Sequence, residues 1–291
     1  ILALLRNNAD LMGAMDRKNQ TSPDRLIGPI GQVNQFQKSE RSWRACEAHA
    51  RTAIVLELSV AERGELPPVG LTLPVGEAVH RAVIRKAARG KRIDCPELIG
   101  QNRLGHPLVG PHGHAHVLPV DADEDGCIDH VVIFAPMGLG ELAVGAISSL
   151  RTLFGSHGRP WLKVRVSDQR RLNSWVERLL SGERECGSAI WASLTPFVAP
   201  RFVKRSGKNC LIGQVRAELV NRGFPEADVE ILPIDARLFR GFVFDRGLDH
   251  APPPQRCGHG VRLQFARPVC GPVVLGYACH FGLGLFQAVE S

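Results

Sequence analysis

Three histidines spaced two residues apart have the clearest chemical potential in this sequence. His112, His114 and His116 lead into the apolar pair Val117 and Leu118, which predicts a β-strand. Alternate residues of a strand face the same side, with about 6.6 Å between their Cα atoms, so we expect the three imidazoles to form one row. Such a row suits either metal binding or proton transfer, because imidazole titrates near neutral pH.

An acidic turn follows the histidines and raises a calcium alternative. The residues that match positions 1, 3, 5, 6, 8 and 9 of an EF-hand loop are Asp121, Asp123, Asp125, Gly126, Ile128 and Asp129. Position 12 is Val132 where a bidentate glutamate is required, and the flanking segments read as strands. An Asp-Gly hairpin turn explains the same residues and is favoured. Zinc held by the histidine row with Asp129 or His130 remains open, and would indicate a metal-dependent hydrolase.

Cysteines give a weaker metal signal. The eight cysteines are scattered without a CxxC pair, which is typical of reduced thiols in a cytosolic protein. A second zinc group could be formed by Cys257, His259, Cys270, Cys279 and His280, but its spacing is irregular. We expect no cofactor.

Basic residues outnumber acidic ones, 36 to 29, which gives a net charge of +7 and suits a polyanionic partner. One acid-free cluster consists of Arg81, Arg85, Lys86, Arg89, Lys91 and Arg92, and a second consists of Arg201, Lys204, Arg205, Lys208 and Arg216. No run of 18 apolar residues occurs, and the first residues lack a signal-peptide charge pattern, so we expect a cytoplasmic protein without a membrane partner.

Apolar periodicity predicts an α+β fold. Strand 52–59, helix 75–88, the histidine hairpin with strand 128–134, helix 139–154 and strand 161–166 follow the βαββαβ order of a ferredoxin-like unit. A connecting helix, 171–180, leads to a less regular copy with strand 189–194, helix 210–221 and strands 229–232 and 260–265. We therefore predict tandem ferredoxin-like units, the second irregular, at residues 49–168 and 169–291, after a tail or linker at residues 1–48.

Glycines are concentrated near the end of the second unit. Gly276, Gly282 and Gly284 follow a predicted strand at 273–275. Glycine lets backbone amides approach a phosphate closely, so this segment could cradle phosphate. A glycine-rich turn without a ligand explains the pattern equally well.

Two motifs together resemble a known family. The segments HGHAHVLPVDADEDGCIDHVVIFAP and LGYACHFGLGLF, within residues 51–287, resemble the CRISPR-associated proteins of the repeat-associated RAMP superfamily that process precursor crRNA. Among these, the two segments are similar in sequence to the fused backbone and crRNA-processing subunit of type I-U (I-G) systems. The chain would correspond to its endoribonuclease half, with residues 1–48 leading out of a severed backbone domain.

The resemblance implies metal-independent cleavage within the CRISPR repeat. The ribose 2′-hydroxyl would attack the adjacent phosphate and leave a 2′,3′-cyclic phosphate. Catalytic histidines in relatives lie on or just after the first helix, a place that His80, His106, His114 and His116 all match. We favour His114 and His116, with His80 as the rival. The implied partners are repeat RNA and other Cascade subunits, backbone and large.

RNA contacts are expected from the basic clusters and from the glycine-rich segment. The predicted RNA-binding residues are Arg81, Arg85, Lys86, Arg89, Lys204, Arg205, Lys208, Gly276, His280, Gly282 and Gly284. The chain is only 6% aromatic, with the single tyrosine Tyr277, so base stacking is expected to be secondary to phosphate contacts. A non-catalytic crRNA-binding subunit remains an alternative.

Overall fold

The computed structural model describes residues 52–62, 64–88, 93–108, 113–155, 158–167, 175–176, 179, 187–234, 236–243 and 252–289. The predicted tail at residues 1–48 lies outside the described residues. Of the predicted connecting helix, Trp175, Val176 and Leu179 are described and are helical. The boundaries of the two predicted units stay a prediction.

The described part of the chain is a mixed α+β fold with two antiparallel sheets. In chain order its elements are β1 (Ala53–Val60), α1 (Thr72–Ala88), α2 (Pro96–Ile99), β2 (His116–Val120), β3 (His130–Phe134), α3 (Glu141–Ser148), β4 (Thr152–Phe154), β5 (Pro160–Val166), β6 (Ser188–Ser193), β7 (Phe197–Val198), α4 (Leu211–Asn221), β8 (Ala227–Leu232), β9 (Gly258–Val269) and β10 (Phe286–Ala288). A 3₁₀ turn, Cys279–Phe281, lies between β9 and β10.

The first sheet has the strand order β2-β3-β1-β5-β4, and all of its neighbours are antiparallel. Without the edge strand β4, this is the strand order of a ferredoxin-like unit, which confirms the predicted fold class. Helix α1 buries Val75, Val79 and Val83 in the main core together with one face of this sheet. The three valines are spaced four residues apart within the predicted helix 75–88, the spacing of one helical face.

One predicted helix is partly wrong. Helix 139–154 was expected to continue to Phe154, but α3 ends at Ser148 and the chain then forms β4. Leu153 pairs with Leu162 of β5 and is buried there. The spacing of leucines fits both a helix and a strand, and pairing with β5 decides between them by adding backbone hydrogen bonds at the sheet edge.

The second sheet repeats the strand order in a less regular form. Its order is β10-β6-β9-β7, and β8 also pairs with β9. The strands β10, β6, β9 and β8 therefore lie in ferredoxin-like order, with α4 as the first helix. Residues 270–285, all of which are described, contain the 3₁₀ turn where a second helix would stand. The predicted irregularity lies here.

A third apolar cluster joins the two sheets. It unites Val55, Leu118 and Val132 from the face of the first sheet opposite α1 with Val274 and Leu285 from the glycine-rich segment. That segment is consequently held against β2, the strand that begins at His116. Among the described residues, none of the helices is long and apolar enough to cross a membrane.

Candidate active site

The ring of His280 lies between the rings of His114 and His116. Its centroid is 4.0 Å from that of His114, with 12° between the ring planes, and 4.1 Å from that of His116, with 22° between the planes. We call these three residues the histidine stack. The structure therefore brings together two predicted catalytic histidines and one histidine that the sequence analysis assigned to RNA binding.

Strand geometry explains why a third ring fits. His116 begins β2 and His114 lies two residues before the strand, and both side chains point to the same side, since both rings stack on His280. Residues so spaced have Cα atoms about 6.6 Å apart, and carbon atoms in contact are about 3.5–4.0 Å apart. The space between two such rings is therefore wide enough for one further flat ring.

The 3₁₀ turn presents His280 to this space. Its flanking residues Ala278 and Gly282 both have left-handed backbone conformations, with φ of 52° and 92°. The Nδ1 of His280 donates a hydrogen bond of 3.2 Å to the carbonyl oxygen of Ala115, between the two partner histidines. Because a carbonyl only accepts, Nδ1 carries a proton, and Nε2 is the ring atom of neutral His280 that can take one up.

The three rings differ in exposure. His116 is only 5% exposed, whereas His114 and His280 are half-buried. On its other side, His114 covers the backbone of Gly100, where an added Cβ would lie 3.1 Å from ring atoms. A ligand at the surface would therefore reach His114 and His280 more readily than His116.

The rival histidine, His80, lies close to the same turn. Its Nε2 donates to the carbonyl oxygen of Leu98 at 3.2 Å, and its ring meets Phe281 edge-on at 5.4 Å. Helix α1 approaches the turn closely, since an added Cβ at Gly76 would lie 2.7 Å from the carbonyl oxygen of Phe281. His106 is exposed, and His112 lies outside the described residues.

Two members of the histidine stack, His116 and His280, also belong to a group with metal-ligand chemistry. Ligand atoms of His116, Cys279 and His280 all lie within 4.8 Å of one another, and thiolate with imidazole is a donor set that suits zinc. Among the residues described, the metal-ligand groups do not include Cys257, His259 or Cys270. The predicted second zinc group is therefore not assembled there.

The acidic turn forms backbone hydrogen bonds. Asp121 accepts from the amides of Asp125 and Gly126, and Asp125 accepts from the amide of Cys127. The carboxylates of Asp121, Asp123 and Asp125 lie within 4.8 Å of one another, but the flanking elements are strands. Burial is the main cause that raises the pKa of Asp121. These features agree with the hairpin turn that the sequence favours.

A buried charge network fixes the turn that carries His280. The carboxylate of Glu218 accepts from the amide of Gly276 at 3.0 Å and from Arg222 at 2.6 Å. Arg222 also donates to the sulfur of Cys279 at 3.1 Å. Burial raises the pKa of the Cys279 thiol, and Arg222 opposes that rise.

Sequence reasoning missed this network, although a signal was present. Glu218 and Arg222 lie four residues apart and continue the apolar stripe of Leu211, Val215 and Leu219 on α4. Two charged residues at core-facing positions of a helix are expected to pair with each other or with a buried polar group. The position of Glu218 and Arg222 on the apolar face was therefore sufficient to predict a buried charged pair.

The glycine-rich segment is packed against protein. A Cβ at Gly276 would lie 2.6 Å from the carbonyl oxygen of Val198, and one at Gly282 would lie 2.7 Å from Thr72. The amides of Gly276, Gly282 and Gly284 donate to Glu218, Cys279 and Pro196, respectively. Packing therefore explains why these residues are glycine. RNA contact by their amides stays a prediction, and it is not supported by the hydrogen bonds, because the three amides already donate to protein acceptors.

The Lys and Arg residues that the sequence assigns to RNA binding are exposed wherever they are described. Arg81, Arg85 and Lys86 lie on the outer face of α1, and Arg81 forms a 3.7 Å ion pair with Glu77. Lys204, Arg205 and Lys208 lie in the loop between β7 and α4. Arg89 lies outside the described residues. Their assignment to RNA binding stays a prediction.

No family model and no curated protein match this chain. Among solved structures, the chain is similar to a Cas6-related protein from Pyrococcus furiosus at 12% identity, with a TM-score of 0.41, over 82% of this chain and 98% of the other. A Cas6 product complex is similar at 15% identity and a TM-score of 0.41, over 81% and 98%. A RAMP protein that binds different RNA substrates is similar at 13% identity and a TM-score of 0.41, over 82% and 100%.

Proposed function

We propose that this chain is an endoribonuclease that cleaves CRISPR repeat RNA without a metal ion. The observation that carries the proposal is the position of His280 between His114 and His116. Repeat RNA is proposed as the substrate because the two motifs that resemble crRNA-processing proteins are the segments that supply these histidines. The exposed basic residues supply a surface for a polyanion.

The reaction needs a base for the 2′-hydroxyl and an acid for the leaving 5′-oxygen. Neutral His280 takes the hydroxyl proton at Nε2, since its Nδ1 is already protonated. The hydroxyl oxygen then bonds to the phosphorus, the bond to the 5′-oxygen breaks, and protonated His114 gives that oxygen a proton. The products are a 2′,3′-cyclic phosphate and a 5′-hydroxyl. A general acid or base contributes about 10² to 10⁴ in rate.

Close stacking favours one charged and one neutral ring. Two unit charges about 4 Å apart repel by about 4 kcal/mol at an effective dielectric constant of 20. Neighbouring imidazoles are therefore rarely both protonated, which suits an acid and base pair. His116 is too deeply buried to contact RNA readily. We assign it a positioning role, because its ring packs on the face of His280.

The direct test is to mix the pure protein with repeat RNA in EDTA. Cleavage at one position, with a 2′,3′-cyclic phosphate on the upstream product, supports the proposal. Substituting the ribose upstream of the cut with 2′-deoxyribose removes the nucleophile and must stop the reaction. A shifted but uncut RNA band would contradict catalysis and favour a non-catalytic crRNA-binding subunit.

A metal-dependent hydrolase is the second candidate, because the thiol of Cys279 and the imidazoles of His116 and His280 are donors that suit zinc. In that case activity requires zinc or another transition metal, and His280 acts as a ligand. Metal analysis of the purified chain separates the two functions. Stoichiometric zinc together with cleavage that EDTA abolishes would replace the metal-independent mechanism.

Association with other Cascade subunits is part of our proposal and is tested by co-purification.

A further inference from the structure

Phe202 is a large aromatic side chain exposed in the middle of a basic loop. It is 64% exposed in loop 201–209, which connects β7 to α4. The loop also exposes Arg201, Lys204, Arg205 and Lys208. No acidic residue occurs between positions 186 and 217. A single exposed apolar side chain is common and does not by itself indicate a ligand, so the inference depends on the cations around Phe202 and on the conformation of the loop.

The loop has a defined conformation. The side chain of Gln214, which is fully buried, accepts a hydrogen bond from the amide of Arg201 at 2.9 Å and donates to the carbonyl oxygens of Arg201 and Asn209. The amide of Lys204 donates to the carbonyl oxygen of Asn209 at 2.9 Å and closes the loop. Val203, the residue after Phe202, packs against the core of the second unit. Phe202 is therefore presented by a fixed backbone, which lowers the entropy lost on binding.

The same helix connects this loop with the histidine stack. Gln214 near the start of α4 holds loop 201–209, and Arg222 at its end holds the turn with Cys279 and His280. Arg222 follows Gln214 by eight positions, which is about 12 Å along the helix axis. Val198, just before the loop, also accepts a hydrogen bond from the amide of Tyr277 at 2.8 Å. The loop and the turn are therefore both anchored to residues of α4 or at its C-terminal end.

These observations place exposed cations and an exposed aromatic ring in one loop. Phosphate groups are attracted by the cations, and an unpaired base can stack on the aromatic face, a combination that proteins use for single-stranded nucleic acid. We infer that loop 201–209 is a binding site for single-stranded RNA, in which Phe202 stacks on an unpaired base while Lys204, Arg205 and Lys208 contact phosphates. The inference rests on the proposed function and adds a base contact beyond the phosphate contacts expected from the sequence.

The test measures binding of a fluorescein-labelled, unstructured 20-nucleotide RNA by fluorescence anisotropy. All riboses carry 2′-O-methyl groups, so the RNA cannot be cut by 2′-oxygen attack. Phe202→Ala is expected to weaken binding about 5- to 150-fold, the measured range for loss of one base stack. Phe202→Trp retains the affinity, whereas Phe202→Leu, which keeps apolar bulk without a π face, binds like the alanine variant.

Two comparisons show whether stacking is the cause. Phe154→Ala removes another exposed phenylalanine, 57% exposed on β4, and is expected to leave the affinity unchanged. Phe202→Ala is expected to leave the salt dependence of binding unchanged, because no phosphate contact is lost, and to leave the unfolding midpoint unchanged. Duplex RNA, whose bases are already stacked, is expected to bind the wild-type chain and Phe202→Ala equally.

The outcomes separate the two proposals. If the wild-type chain does not bind the RNA, this inference fails, while the proposed function is decided separately by the repeat-RNA cleavage assay. If it binds, and Phe202→Ala binds equally well, the inference alone fails. A loss of affinity that Phe202→Leu fully restores would also overturn the inference, because apolar packing would then be sufficient.

Discussion

At the scale of residues, the histidine stack depends on groups that do not react. His280 belongs to a turn whose first residue, Cys279, accepts a hydrogen bond from Arg222, and Arg222 pairs with Glu218. The side chains of Arg222 and Glu218 are only 8% and 12% exposed. A charge left alone at such a depth is costly, so the members of this network depend on each other.

Removing one partner is therefore expected to be strongly destabilising. Arg222→Met leaves the Glu218 carboxylate buried without its cation and should lower the free energy of unfolding by about 3–5 kcal/mol. The matched control is Arg262→Met, which removes an exposed pair with Glu230 and should cost about 0–1 kcal/mol. Urea denaturation measures both. Equal losses in the two variants would contradict a buried, interdependent network.

At the scale of elements, helix α1 lies directly against the turn that carries His280. Gly76 is where the two meet, since an added methyl group there would lie 2.7 Å from the carbonyl oxygen of Phe281. Backbone atoms cannot move aside as a flexible side chain can. The contact therefore sets the distance between α1 and the turn.

The pair of substitutions Gly76→Ala and Gly145→Ala tests this contact. Both glycines are inside helices, where alanine is normally more stable by about 0.5–1 kcal/mol. Gly145 in α3 has nothing within 4 Å of the added methyl group, so its variant should gain about that amount. Gly76→Ala should instead lower the thermal midpoint and slow RNA cleavage. If it were as stable as Gly145→Ala, the close packing would be wrong.

Local sequence patterns predicted the elements well, and contacts between distant segments could not be predicted from them. The valines of α1 and the hairpin around Asp121 are local signals, and the structure has both. The insertion of His280 between His114 and His116 joins residues more than 160 positions apart, which no spacing can reveal. The glycines suggested open backbone, but close packing explains them, because a sequence does not show what occupies the space beside a glycine.

At the scale of the whole molecule, positive charge is exposed on both units. Arg81, Arg85 and Lys86 belong to α1, and Lys204, Arg205 and Lys208 belong to loop 201–209. The net charge of +7 indicates a long-range attraction for a polyanion. A surface that contacts RNA releases counterions when it binds. Replacing its basic residues therefore changes the number of counterions released, which identifies the surface.

Salt titration of RNA binding provides that number. The logarithm of affinity falls with the logarithm of salt concentration by about 0.7 per phosphate neutralised on a single strand. Replacing Lys204, Arg205 and Lys208 together by alanine should reduce the slope by about 2, because three phosphate contacts are lost. The triple alanine variant of Arg81, Arg85 and Lys86 should do the same if α1 contacts the RNA. An unchanged slope in both variants would exclude these surfaces as the RNA contacts.

The central claim is that His280 and His114 transfer protons to and from the RNA. It is tested most directly by the single-turnover rate of repeat-RNA cleavage in EDTA for His280→Ala and His114→Ala, with the exposed His106→Ala as the control. We expect each of the first two to lower the rate by about 10² to 10⁴, with RNA affinity within about twofold of wild type, while His106→Ala retains the full rate. Cleavage at the wild-type rate by His280→Ala would contradict the account.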